Sequence, residues 1–198
     1  MKIIYLNTWC GRTGKIFFDF LNARKDIDVF CFQEIYHNAE SKEKHYINDN
    51  SNHNLLKELK ESLPDYNHYY RPHLLDYWGL SIAVRNNIEI LGEGEEYVHK
   101  QKGYDPENEA KGYTAKNLQY IDLKYKKEIL SIYNFHGLYN GSGKSDNIDR
   151  IEQSTKVMCT HIWRFPVNSG NGNTYGNNNQ RREVKVGTSH HQERRKVS

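Results

Sequence analysis

The sequence predicts an α/β fold, and three patterns carry that reading. Residues 2–7, 13–25 and 28–33 take strand, helix and strand character in turn, within the length of one βαβ unit. Residues 66–135 then break into short β-branched and aromatic segments separated by polar turns. Three of the apolar segments run directly into a polar residue: Asn7, the Gln33-Glu34 pair and His136. The end of a buried strand is where an α/β sheet places a site.

Taken in order, Ile3-Ile4-Tyr5-Leu6 is an apolar run that stops at Asn7. It is too short for a signal peptide and reads as a first strand. Ile16, Phe17, Phe20 and Leu21 recur at helical spacing and predict a helix over 13–25. Val29 to Phe32 is wholly apolar, as a strand buried on both faces should be. Residues 36–52 are polar and loop-like. Leu55, Leu56, Leu59 and Leu63 predict a second amphipathic helix, stopped by Pro64. Strands are expected over 66–71, 80–85, 88–91, 117–123 and 129–135, with Asn86-Asn87 as a tight turn. Gly92, Gly94, Gly103, Pro106 and Gly112 mark 92–116 as a long surface excursion. A third helix is expected over 146–158, with Ile148, Ile151 and Val157 as its apolar positions.

After Phe165 the pattern ends. Residues 166–198 hold only Val167, Tyr175, Val184, Val186 and Val197 as apolar side chains, too few to offset the ordering entropy of a packed element. The expected organisation is one domain over 1–165 and an irregular polar tail over 166–198.

Composition narrows the function classes. The chain has 198 residues, a net charge of +3 and a mean hydropathy of -0.92, and no apolar run approaches the ~20 residues of a membrane span. Stable membrane insertion is therefore not expected. Residues 181–198 alone carry a net +4, so the basic balance belongs to the tail and marks no nucleic-acid-binding face on the rest. Cys10, Cys31 and Cys159 form no CxxC pair, which fits a reduced, cytoplasmic setting. Most of the 15 tyrosines fall in strand-like segments, where core packing is their ordinary use. No feature calls for an obligate protein partner.

The residues at the strand ends suit phosphoryl chemistry. Glu34 offers a hard carboxylate oxygen to Mg²⁺ or Mn²⁺. Asn7 can orient a ligand without adding charge, and His136 can donate to a non-bridging phosphate oxygen. Singly, each has a plain reading: a solvated loop glutamate, a strand terminator, a turn histidine. If they form one site, their side chains should lie within about 10 Å of one another, the scale of a metal-phosphate centre.

Together, and in this order, the motifs resemble the endonuclease/exonuclease/phosphatase family. Ile3-Ile4-Tyr5-Leu6-Asn7, Val29-Phe30-Cys31-Phe32-Gln33-Glu34 and Gly79-Leu80-Ser81-Ile82-Ala83-Val84-Arg85 match its first strands. Lys116-Asn117-Leu118-Gln119, Asn134-Phe135-His136 and Arg150-Ile151-Glu152-Gln153 follow in register. The resemblance covers residues 1 to about 158. It implies a deoxyribonuclease I-like α/β/β/α sandwich, C-terminally incomplete, and a metal-dependent phosphodiesterase or phosphatase acting on nucleic acid or another phosphodiester. It implies Glu34 and Asn7 at the metal, His136 and Asn134 at the catalytic centre, and Lys116 at a substrate phosphate. Arg150 and Gln153 would tie the third helix to the sheet.

The family also uses a Gly-Asp-x-Asn loop and a terminal Asp-His pair to activate water. No aspartate follows Asp149 in this sequence. Turnover near background is therefore expected. The alternatives are a sphingomyelinase-like phospholipid hydrolase, given Leu6-Asn7-Thr8-Trp9, and a non-catalytic phosphate- or metal-binding pseudoenzyme. The abrupt change after Met158 fits a reading-frame shift, a truncation or a divergent tail.

Overall fold

Alternation along the second strand decides how the layers stack. In the computed structural model this strand spans Val29–Tyr36, with Phe30 and Phe32 turned toward two helices and Val29 and Cys31 toward a second sheet. The structure describes residues 1–39, 50–104, 114–138, 147–164 and 183–188; of residues 161–164 and 183–188 it describes the backbone alone.

The elements are β1 (Ile3–Asn7), a 3-10 turn (Trp9–Gly11), α1 (Lys15–Ala23), β2 (Val29–Tyr36), α2 (Leu55–Ser62), β3 (Tyr66–Leu74) and β4 (Trp78–Arg85). They continue as β5 (Ile90–His99), β6 (Lys116–Tyr125), β7 (Glu128–Phe135), α3 (Ile148–Arg164) and β8 (Glu183–Thr188). The first sheet runs β1-β2-β4-β3 and the second β5-β6-β7-β8. Among the described residues, only β1–β2 and β7–β8 pair in parallel.

Three apolar layers hold these elements together. Phe17, Leu21, Leu55, Leu56 and Leu59 cover Phe30 and Phe32 on the outer face of the first sheet. Between the sheets, Val29, Cys31, Ile82 and Val84 meet Ile121, Leu123, Leu130 and Ile132. On the outer face of the second sheet, Val98, Leu118, Tyr133 and Phe135 receive Val157 of α3. The result is helix, sheet, sheet and helix in four layers, the α/β/β/α sandwich.

Several expectations change. Residues 92–99, read as part of a surface excursion, complete β5. Its glycines misled the reading: Gly94 lies opposite Tyr120, and a Cβ there would sit 2.4 Å from the tyrosine hydroxyl. The missing side chain makes room for its neighbour. Residues 183–188, read as part of an irregular tail, form β8, which pairs with the outer edge of β7 from Leu130 to Phe135. An already formed edge offers six residues a backbone ladder that their composition alone does not announce. In α3, Ile148 and Ile151 face solvent while Val157 and Gln153 turn inward. In α1 likewise, Phe17 and Leu21 are buried but Ile16 and Phe20 are not. The rest of the 36–52 loop and the 92–116 excursion, over 40–49 and 105–113, lies outside the described residues, as do residue 165 and residues 166–182 and 189–198 of the tail.

Gly79 provides a test of this packing. A Cβ there would stand 2.2 Å from the Arg71 carbonyl oxygen and 2.5 Å from the Pro72 Cα, backbone atoms that move only if β3 parts from β4. Gly79→Ala should lose about 3 kcal/mol in urea unfolding. Gly92→Ala, whose nearest contact is the Asp122 side chain at 3.7 Å, should shift stability by less than about 1 kcal/mol.

Candidate active site

The polar site grows out of an irregularity in β2. Its pairing with β4 shifts register between Phe32 and Ile35, and Glu34 sits at the shift with φ of 61°. A left-handed backbone at a non-glycine residue is uncommon and costs on the order of 1–3 kcal/mol. Here it turns the carboxylate out of the alternation and toward the ends of β1 and β7. The Asn7 amide donates to Glu34 Oε1 at 3.0 Å, and His136 Nε2 lies 3.5 Å from the same oxygen. Asn7, Glu34 and His136 thus come together, from three strands far apart in sequence.

The segment after β1 wraps the same carboxylate. Thr8 Oγ1 donates to the backbone carbonyls of Gln33 and Glu34 at 2.8 and 3.1 Å. The Trp9 N–H donates to Asn7 Oδ1 at 2.8 Å, and Cys10 Sγ lies 3.5 Å from Glu34 Oε2. Burial, and then the neighbouring Glu34 charge, push the Cys10 thiol up to about 12, so it stays a neutral donor. No sequence motif marks Cys10; its place beside Glu34 follows from a turn that sequence spacing does not reveal.

Lys116, at the start of β6, is buried with its ammonium 5.0 Å from the centre of the Trp78 ring. Burial lowers its pKa to about 8, an effect the Glu34 carboxylate partly offsets. His136 keeps about a fifth of its side chain exposed, yet burial and then Lys116 depress it to about 3, so the imidazole is neutral at pH 7. Its contact with Glu34 is therefore that of a neutral ring. His73, wholly buried in β3, is held well below its ordinary value by burial first, then by Lys116 and His136. Its Nδ1 meets Asn117 Oδ1 at 3.1 Å, and its edge packs on Trp78. His73 and Trp78 also join the site without a motif to announce them.

Asn134 has a different place from the catalytic one expected of it. Its side chain is wholly buried between the sheets. Its Oδ1 accepts from Gln33 Nε2 at 2.8 Å, and its Nδ2 donates to the Phe32 carbonyl at 2.9 Å, with Ser81 O and Gln119 Oε1 each at 3.3 Å. Both N–H donors are taken and the whole side chain is buried away from the cleft, so it cannot reach a substrate. Gln153 does tie α3 inward, accepting from the Leu138 N–H at 2.9 Å.

The donor set suits a hard cation only in part. Among the described residues no three His, Cys, Asp or Glu side chains gather as a metal centre. Glu34 supplies the one carboxylate at this cleft among them. Mg²⁺ is commonly held by one or two carboxylates, with water and substrate phosphate completing the shell. One glutamate beside a neutral amide fits that pattern, and does not fit a three-ligand zinc centre.

The endonuclease/exonuclease/phosphatase from Bacteroides vulgatus superposes with a TM-score of 0.57 at 11% identity, over 81% of this chain and 59% of that one. A mannosyl-6-phosphatase from Bacteroides thetaiotaomicron gives 0.57 at 16% identity, over 81% and 54%. TDP2 from D. rerio, complexed with single-strand DNA product, gives 0.57 at 16% identity, over 83% and 55%. The chain has the endonuclease/exonuclease/phosphatase fold. It spans less than two thirds of the length of each of these three structures. No family model matches the sequence, and no curated protein does.

Lys116 gives a pH test of the cleft. Its folded value, about 8, lies below its ordinary 10.5, so between these the unfolded chain binds more protons and stability rises with pH. Lys116→Met should be more stable than wild type at pH 7, and the gap should narrow as pH rises from about 8 to 10.5. Urea unfolding of both proteins across this range measures it.

Proposed function

We propose that this chain provides the metal- and phosphate-binding part of a phosphoric ester hydrolase site, with nucleic acid as its substrate class. The observation that carries the reading is the meeting of Glu34, Asn7 and His136 at the strand ends, beside the buried Lys116. TDP2 carries a single-strand DNA product on this fold and the Bacteroides enzyme is a mannosyl-6-phosphatase, so phosphate esters are the chemistry the similar structures share.

In this reading Glu34 ligates Mg²⁺ or Mn²⁺, and the Asn7 amide fixes its Oε1. The cation, when bound, polarises the phosphoryl oxygens. His136, neutral at pH 7, would turn its single N–H from Glu34 to a non-bridging oxygen, without bringing a charge that must be desolvated. Lys116 supplies the positive charge, as a point charge and not as a bidentate fork. Asn134 acts one step removed, by holding Gln33 and so the backbone that carries Glu34.

Nothing among these groups is placed to activate water as a general base, and no aspartate follows Asp149. Absence of a base lowers rate about 10²–10⁴-fold. The 198-residue chain should therefore bind Mn²⁺ and hydrolyse bis(p-nitrophenyl) phosphate only near background. Calorimetry should show Mn²⁺ binding weakened at least about tenfold in Glu34→Gln, the cost of one charged ligand. Equal Mn²⁺ affinity in the variant would refute the site; vigorous hydrolysis abolished by Glu34→Ala would refute the expected low turnover.

A further inference from the structure

Trp9 is unusual in three independent ways. It is the residue after Thr8, beside Asn7 and Glu34, yet half of it is exposed to solvent. Its backbone lies in the left-handed region at φ of 49°, followed by Cys10 at 53° and Gly11 at 73°. For a bulky residue that conformation is a real outlier, costing on the order of 1–3 kcal/mol, and strain of this kind collects at functional sites. Finally, the Trp9 N–H donates to Asn7 Oδ1, and the other end of that same amide holds Glu34. The Trp9 backbone is thus tied, through the Asn7 amide, to the carboxylate at the centre of the cleft.

An exposed indole could serve the interior only by turning inward. The strained turn does the opposite: it sinks the Cys10 thiol onto Glu34 and holds the indole out. Gly11 permits this, since a Cβ there would meet the Asn52 Cβ at 2.8 Å and the Leu55 methyls at 3.1 and 3.4 Å.

From this geometry we infer that Trp9 is a stacking platform for an unpaired nucleobase next to the phosphate bound at Glu34, His136 and Lys116. The inference rests on the proposed phosphate site and adds to it a preference for single-stranded substrate. A base inside a duplex has both faces stacked, so only an unpaired one can lie on an indole.

The competing occupant is a phospholipid surface, and Ile16 and Phe20 on α1 are exposed enough to raise it. The charge beside Trp9 decides between them. Arg12 places its guanidinium 5.3 Å from the centre of the Trp9 ring, and its Nε is 3.5 Å from Ser51 Oγ. A quaternary ammonium head group would need that ring as its cation site and would meet a cation already there. A neutral, planar base takes no such penalty, and its adjoining phosphate gains from the arginine.

The test compares two single strands of equal charge, octathymidylate and an octamer with tetrahydrofuran abasic sites, by fluorescence anisotropy with Mg²⁺ present. Wild type should bind octathymidylate about tenfold more tightly, the effect of one stacked base. Trp9→Gly should bind both equally, with abasic affinity unchanged. Because glycine accepts positive φ freely, this variant should also melt at or above the wild-type temperature, which a merely structural tryptophan would not allow. Trp9→Phe should keep most of the preference. If both octamers bind but wild type shows no preference, or Trp9→Gly retains it, the platform is refuted and the phosphate site survives. If neither octamer binds, both readings fall; phosphatidylcholine vesicle binding lost in Trp9→Gly would then assign the ring to a membrane.

Discussion

A pair of buried side-chain amides fixes the rest of the site. Gln33 of β2 and Asn134 of β7 are both fully buried, and they bond to each other across the sheet interface at 2.8 Å. The apolar part of that interface, from Val29 to Ile132, would by itself tolerate sliding at modest cost. An amide is less forgiving. A slip of one residue would turn Gln33 or Asn134 to the wrong face and leave buried polar groups unpaired, at about 1–3 kcal/mol each. Glu34 follows Gln33 directly, and His136 lies two residues past Asn134. Their 3.5 Å approach is therefore a consequence of the amide bridge, which sets the two sheets in register.

Around this fixed point the backbone departs from regular geometry. Trp9, Cys10 and Glu34 all have positive φ, and all three lie at one end of the first sheet. None would hold that conformation alone. Thr8 clamps the Gln33 and Glu34 carbonyls, the Asn52 N–H donates to the Cys10 carbonyl at 2.9 Å, and Gly11 packs against Asn52 and Leu55. The well-packed helical layer thus offsets the strain of the cleft. Stability is gained between α1, α2 and β2, and spent where three strands present their ends.

Much of the fold was legible in the sequence because its strands are short, apolar and sharply ended. Val29 to Phe32 can be little other than a doubly buried strand, and Leu55, Leu56 and Leu59 can serve one helix face only. The strand ends at Asn7, Glu34 and His136 were visible for the same reason. What stayed hidden depends on partners distant in the chain. Gly94 looks like a loop glycine until Tyr120 is laid across it. Residues 183–188 gain a ladder only because β7 has a free edge to offer. Asn134 and His136 look like one motif in the sequence, but Asn134 lies inside β7 and His136 just past its end, and the two serve different purposes. Cys10, His73 and Trp78 belong to no local pattern at all.

The charge balance of the cleft has a logic of its own. Lys116 is buried against the Trp78 face, and no carboxylate lies within ion-pairing distance of it among the described residues. Cation–π contact replaces only part of the lost hydration, which is why the ammonium is weakened. Two histidines sit nearby, and both are held neutral, so the lysine does not have to share the cleft with further cations. A protonated His136 would compete with a bound cation for Glu34 Oε1; a neutral one does not. Burial silences the histidines, and the cleft is left with a lysine that has no ion-pair partner among the described residues and a glutamate held by neutral donors, a pairing suited to an anionic ligand and a hard cation together.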